Sequence, residues 1–220
     1  MQADAVRTQR AALVERAILD RHLRRVCGVL PGTRIGRVHW PRTGAAPVGP
    51  SRMPWHYWWQ AHLLDCLVDA QRRVPTGGRA ATIRALVRGV WLRNLGRWTN
   101  DYYDDIAWLG LAIERATVLT ARVRRHALRA ITARLSVGSA PGGGVWWRRG
   151  DDYVNAPATG PAAILLARTG RVAHAAALVD WMAATLVDPA TGLVRDGVRV
   201  GPDGRIREVD ERIFTYCQGV

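Results

Sequence analysis

The sequence predicts an all-α chain: a series of helical hairpins curving into a toroid, with one small β-hairpin insertion. Three observations carry this. Apolar residues recur at helical spacing through most of the 220 residues. Polar-aromatic stretches precede or open every other helical segment: Trp55-His56-Tyr57, Asn100 to Asp105, Tyr153-Val154-Asn155 and Thr215-Tyr216. They lie about 50 residues apart, the length of one helix–turn–helix pair with its loops. Only one stretch, 193–209, reads as strand, with turn signals at Asp196-Gly197 and Pro202-Asp203-Gly204. If alternate helices line a central axis, the four stretches converge at one mouth of it and form a funnel. Periodicity alone also fits a plain helical bundle or solenoid.

Element by element, Ala3 to Val26 has helical spacing, with Leu13, Ala17, Leu23 and Val26 near one face and Gly28 as the stop. Gly28 to Pro54 holds five prolines and many glycines and reads as a long irregular loop. A second helix covers Trp55 to Val74, with Trp59, Leu63, Cys66, Leu67 and Ala70 inward, and ends at Pro75 and Gly77. The third spans Arg79 to Trp98, the fourth Tyr103 to Leu119 and the fifth Ala121 to Leu135. Gly138 to Asn155 is a glycine-rich loop; helices follow at Gly160–Arg168 and Val172–Val187, and a last one would begin near Phe214.

Length predicts one domain over residues 1–220. No apolar run approaches the ~18 residues that cross a bilayer, and the charged N-terminal stretch resembles no secretory leader. Cys27, Cys66 and Cys217 form neither a disulfide framework nor a CxxC metal site, and their apolar neighbours suit a reduced, cytoplasmic compartment. The 32 basic residues against 18 acidic ones give a net charge of +14, and every basic residue is arginine. Such a charge attracts polyanions. The arginines are nonetheless scattered over the polar faces of helical patterns, and no nucleic-acid-binding signature accompanies them, which disfavours nucleic acid as the partner.

Ten tryptophans stand against one phenylalanine. A core needing only apolar bulk would use phenylalanine more freely, because a buried indole N–H demands an acceptor. The clusters Trp55/Trp58/Trp59 and Trp146-Trp147 therefore suggest flat platforms of the kind on which sugar rings stack, beside the ordinary alternative of helix–helix contacts.

The chemical candidate is Asn100-Asp101-Tyr102-Tyr103-Asp104-Asp105-Ile106-Ala107-Trp108. One aspartate here would serve as a cap and complement the helix dipole. Two adjacent ones repel each other and need a further reason. Repulsion raises one carboxyl pKa while hydrogen bonds and the helix N-terminus hold the other low, giving one ionised and one protonated acid. Retaining glycosidases use such a pair.

Tyr102-Tyr103-Asp104-Asp105 with Trp108, Gly-Gly-Val-Trp-Trp at 143–147, Asn155-Ala156, and Thr215-Tyr216-Cys217-Gln218-Gly219 together resemble glycoside hydrolase family 76, in order and spacing, from Trp55 to the end. The resemblance implies the first part of an (α/α)6 barrel and hydrolysis of α-1,6-linked mannan with retention, Asp104 as nucleophile and Asp105 as general acid/base. It implies mannosyl stacking on Trp146 and Trp147, with Trp108 and Tyr216 also in the substrate site. Asp101 or Tyr103 would orient the pair, and Asp151, Asp152 and Asn155 would bind sugar hydroxyls. No metal or organic cofactor is implied, and the six histidines are isolated along the chain. Family members generally carry asparagine where this chain has Cys217. Only seven or eight of twelve helices fit, so a C-terminally truncated barrel is expected, whose open edge favours self-association. The alternative reading is a catalytically inactive carbohydrate-binding or interaction protein of the same fold.

Overall fold

The computed structural model describes residues 2–37 and 55–220. Most of the expected loop, with His39 and Pro41, Pro47, Pro50 and Pro54, lies outside the described residues.

Helix α1 (Gln2–His22) is polar on most sides, and Leu13 is exposed rather than inward. The helix is tied down by Leu19 against the core and by Glu15, whose carboxylate accepts from Arg79 Nε at 2.5 Å and Nη2 at 2.9 Å. A short ribbon follows, β1 (Leu23–Arg24) antiparallel to β2 (Ile35–Gly36). Buried Gln60 on α2 (Tyr57–Arg73) locks it, accepting from Gly36 N at 2.7 Å and donating to Gly36 O at 2.9 Å.

Helix α3 (Gly77–Arg93) starts at Thr76, whose hydroxyl accepts from Arg79 N. Helix α4 (Tyr103–Arg115) stops four residues before the expected Leu119, because Ala116 N turns back to Ile113 O and the chain leaves the helix at Thr117. Helix α5 (Ala121–Ser136) is capped by Thr120. Strand β3 (Tyr153–Asn155) leads directly into α6 (Ala156–Arg168), which begins four residues earlier than expected: Asn155 Oδ1 accepts from Ala158 N, and a proline in the first turn loses no hydrogen bond. Helix α7 (Val172–Thr185) precedes β4 (Arg195–Val200) and β5 (Ile206–Ile213). The expected hairpin is thus present, but β3 joins it in an antiparallel sheet of order β3-β4-β5. The last segment is one 3-10 turn, Thr215–Gly219.

Helices α2, α4 and α6 pack side by side, with α3, α5 and α7 backing them. This is an arc of alternating inner and outer helices, as the repeat predicted. Gly110 lets α4 and α6 close up: a Cβ there would lie 2.3 Å from Leu165 Cδ2. The main core holds Leu64, Ile83, Leu86, Ile106, Leu109, Ile113, Ile131, Leu135 and Leu165. A smaller core under the sheet holds Val154, Leu186, Val198, Val200 and Cys217, and Trp146 packs against both. No described helix is long and apolar enough to cross a membrane.

Candidate active site

The N-terminal ends of α2, α4 and α6 meet the sheet around a cleft of ≈ 890 Å³. Helix α2 supplies Trp58 and His62, α4 supplies Asp104 and Trp108, and α6 supplies Pro157 next to its cap Asn155. The glycine-rich segment supplies Trp147 and Asp151, the sheet supplies Tyr153, Asp196, Arg199, Glu208, Asp210 and Arg212, and the terminal turn supplies Tyr216. Three of the four polar-aromatic stretches therefore share one mouth, through Asp104, Tyr153 and Tyr216; no residue of the first, Trp55-His56-Tyr57, lines the cleft, and the next residue, Trp58, does so instead.

Asp104 stands in the first turn of α4 with both carboxylate oxygens engaged. Oδ1 accepts from the backbone N of Asp105 at 2.7 Å, and Oδ2 accepts from the indole Nε1 of Trp147 at 3.2 Å. Burial pushes this carboxyl above its usual range, and these hydrogen bonds partly offset the push. Asp105 is buried behind it and does not line the cleft. Its pKa is raised to about 7, first by burial and then by the charge of Asp104, while Asn100 Nδ2, donating to Oδ2 at 2.6 Å, works the other way. The pair therefore has one member facing the cleft and a more basic one walled in beside it.

The main chain fixes this geometry. Tyr103 N donates to Trp147 O at 2.9 Å, and Trp147 N donates to Tyr153 O at 2.7 Å, linking the start of α4 through the glycine-rich segment to the sheet. Trp146 forms an isolated antiparallel bridge with Val154, and the chain bends at Trp147, so the two indoles part company. Trp146 goes into the cores, while Trp147 reaches the cleft, edge-on to Tyr102 and Tyr153.

Of the other expected site residues, Trp108, Asp151, Asn155 and Tyr216 line the cleft. Asn155 is nonetheless buried and spends its Oδ1 on capping α6. Tyr103 lies in the core against Gly138, where a Cβ would come within 2.3 Å of its ring. Asp101 is exposed, 3.8 Å from Arg134. Asp152 is ion-paired with Arg199 outside the cleft lining.

Sequence reasoning missed a second acidic centre on the opposite wall. Buried Asp196 accepts from Tyr153 Oη at 2.7 Å, Tyr216 Oη at 3.0 Å and Cys217 Sγ at 3.3 Å. The same Tyr153 hydroxyl lies 3.0 Å from Asp210 Oδ2, and Asp210 is gripped by Arg212 through Nε at 2.8 Å and Nη2 at 2.5 Å. That grip holds the Asp210 carboxyl far below its ordinary value. Burial and the two carboxylates push the Tyr153 hydroxyl far up, so it stays a donor. In the sequence Asp196 is half of an Asp-Gly turn signal; the structure instead places it buried within β4. Trp58, His62 and Trp108 form an aromatic run along the third wall, with His62 5.8 Å from Trp58 and 5.0 Å from Trp108, ring centre to ring centre. Burial lowers the His62 pKa, which keeps this surface neutral. Among the described residues no group of His, Cys, Asp and Glu is arranged to hold a metal ion.

The family model for glycosyl hydrolase family 76 matches residues 27–220. Among solved structures, the α-1,6-mannanase of Salegentibacter sp. HEL1_6 is 26% identical with a TM-score of 0.78, over 96% of this chain and 61% of that one. An inactive variant of that enzyme, with two consecutive aspartates changed to asparagine, was solved with α-1,6-mannotriose; it is 25% identical with a TM-score of 0.78 over the same shares. A protein from Listeria innocua is 25% identical with a TM-score of 0.76, again over 96% of this chain and 61% of that one. No curated protein matches the sequence. The chain spans 61% of the length of these solved relatives.

Proposed function

We propose that this chain, which belongs to glycosyl hydrolase family 76, carries the carboxylate pair and part of the substrate cleft of a glycosidase acting on α-1,6-linked mannosides. The single observation behind this is the contrast between Asp104 and Asp105: adjacent on one helical turn, one facing the cleft with both oxygens held, the other raised to about 7. Support for the substrate class comes from the Salegentibacter enzyme, which binds α-1,6-mannotriose when two consecutive aspartates are replaced.

In this reading Asp104 attacks the anomeric carbon as its carboxylate, and the glycosidic C–O bond breaks. Asp105 gives its proton to the leaving oxygen. Asp105 then takes a proton from water, whose oxygen attacks the glycosyl ester, releasing the sugar and restoring Asp104. The Trp147 N–H and the Asp105 backbone N–H aim the Asp104 oxygens without side-chain rearrangement. Trp147, Trp108 and Trp58 offer faces to sugar rings, and Asp151, Asp196 and the Tyr216 hydroxyl oxygen offer acceptors to sugar hydroxyls.

A second reading, binding without turnover, is favoured by one feature: Asp105 is walled off from the cleft lining. The self-association expected from the sequence would use the apolar groove between α6 and α7, lined by Ile164, Val172, Val179 and Val194. Asp104→Asn separates the two functional readings. Under the first, hydrolysis of α-1,6-mannotetraose by the unaltered chain disappears in the variant, while calorimetric binding and thermal stability persist. Binding by the unaltered chain with no product release supports the second.

A further inference from the structure

On the outer side of the arc, the segment between β1 and β2 folds against α3 around a hollow of ≈ 380 Å³. Arg25 and Arg34 face it from the segment, Arg84 and Arg88 from the helix. No Asp or Glu lines it. None of the four joins an ion pair among the described residues, and residues 38–54 contain no acidic side chain to supply one. By contrast, Arg79 on the same helix is paired with Glu15.

The backbone around the hollow is fixed. Arg34 N donates to Ala85 O at 2.8 Å, and α3 presents Gly89 to the Arg34 carbonyl so closely that a Cβ would lie 1.8 Å from its oxygen. The turn residue Gly32, at φ +66°, sits against the Arg88 guanidinium, with Nη1 2.9 Å from where a Cβ would stand. Like charges four residues apart on a helix, as Arg84 and Arg88 are, oppose folding. Two more guanidiniums brought to the same rim add to that repulsion, and an anion seated among them relieves it.

We propose that this hollow binds a compact phosphate-class oxyanion, either free or as a phosphate ester, at a site separate from the carboxylate cleft. Four planar guanidinium forks suit the several oxygens of such a group better than a single carboxylate.

The test is calorimetry with inorganic pyrophosphate on the full chain at fixed ionic strength. The expected result is saturable one-to-one binding, weakened about tenfold or more by Arg84→Gln/Arg88→Gln. The charge-matched variant Arg122→Gln/Arg125→Gln, on α5, should bind as the unaltered chain does. Mannose 6-phosphate and mannose form the second arm: the phosphate ester binding more tightly than pyrophosphate identifies an ester ligand, and the reverse identifies a free anion. Absence of saturable binding, or equal weakening in the charge-matched variant, overturns the site. If the double variant fails to fold, Arg25→Gln on the opposite rim is read in the same way.

Discussion

The indole Nε1 of Trp147 donates to Oδ2 of Asp104 at 3.2 Å, joining residues 43 positions apart in the chain. Through this bond a glycine-rich segment orients a helix-borne carboxylate and partly offsets the rise in proton affinity that burial imposes on it. Trp147→Phe keeps most of the ring and removes the donor. Hydrolysis of α-1,6-mannotetraose should fall about tenfold, the scale of one hydrogen bond to a charged group. The acidic limb of its pH profile should move upward, because Asp104 loses a bond that lowers its pKa. An unchanged limb would separate Trp147 from Asp104 function.

Asp105 ties stability to pH. Its folded pKa is raised to about 7 from 3.8, so between these values the folded chain holds a proton that the unfolded chain has released. Stability is therefore greatest at the acid end of this window and falls as pH rises, by an amount on the order of 4 kcal/mol for this group alone. Asp105→Asn removes the titration. Its melting temperature should exceed that of the unaltered chain by more at pH 8 than at pH 5; equal differences at the two pH values count against a raised pKa. Activity should decline above about pH 7 as the same proton is lost.

Gly138 has a packing role that a substitution exposes. A methyl group there meets the Tyr103 ring at 2.3 Å, and Tyr103 is buried beside the carboxylate pair. Gly138→Ala should destabilise the chain by about 1–3 kcal/mol in urea unfolding, as overpacking does, and should lower hydrolysis beyond what the lost folded fraction explains.

Trp58 is 43% exposed at the rim of the cleft. Trp58→Ala in the Asp104→Asn background should weaken α-1,6-mannotetraose binding about tenfold, from roughly 1–2 kcal/mol of lost apolar contact, with stability unchanged. Full-strength binding would exclude the α2 aromatic run from the substrate path.

Much of this was legible in the residues. Helices α2 to α7 declared themselves through apolar spacing, and the carboxylate pair through two acids where a cap needs one. What escaped depended on direction and on distant neighbours. Asp105 follows Asp104 by one helical step, enough to turn it from the cleft toward Asn100. Trp146 and Trp147 look alike in sequence, yet the first pairs with Val154 and packs on the cores while the chain bends at the second and leaves it in the cleft. Tyr103 read as a site residue because it adjoins the acids, but its ring fills the space that Gly138 leaves. Asp196 and Asp210 gain their environment from Tyr153, some 43 and 57 positions away, a pairing that only the β3-β4-β5 sheet creates.

The relay from Tyr103 through Trp147 to Tyr153 makes the alignment of Asp104 only as durable as a small three-stranded ribbon. Gentle warming that frays those strands would silence chemistry while the helical signal in circular dichroism stays near full strength. Inactivation would then precede melting, and amide exchange at Trp147 would report the chain's working lifetime better than any helix does.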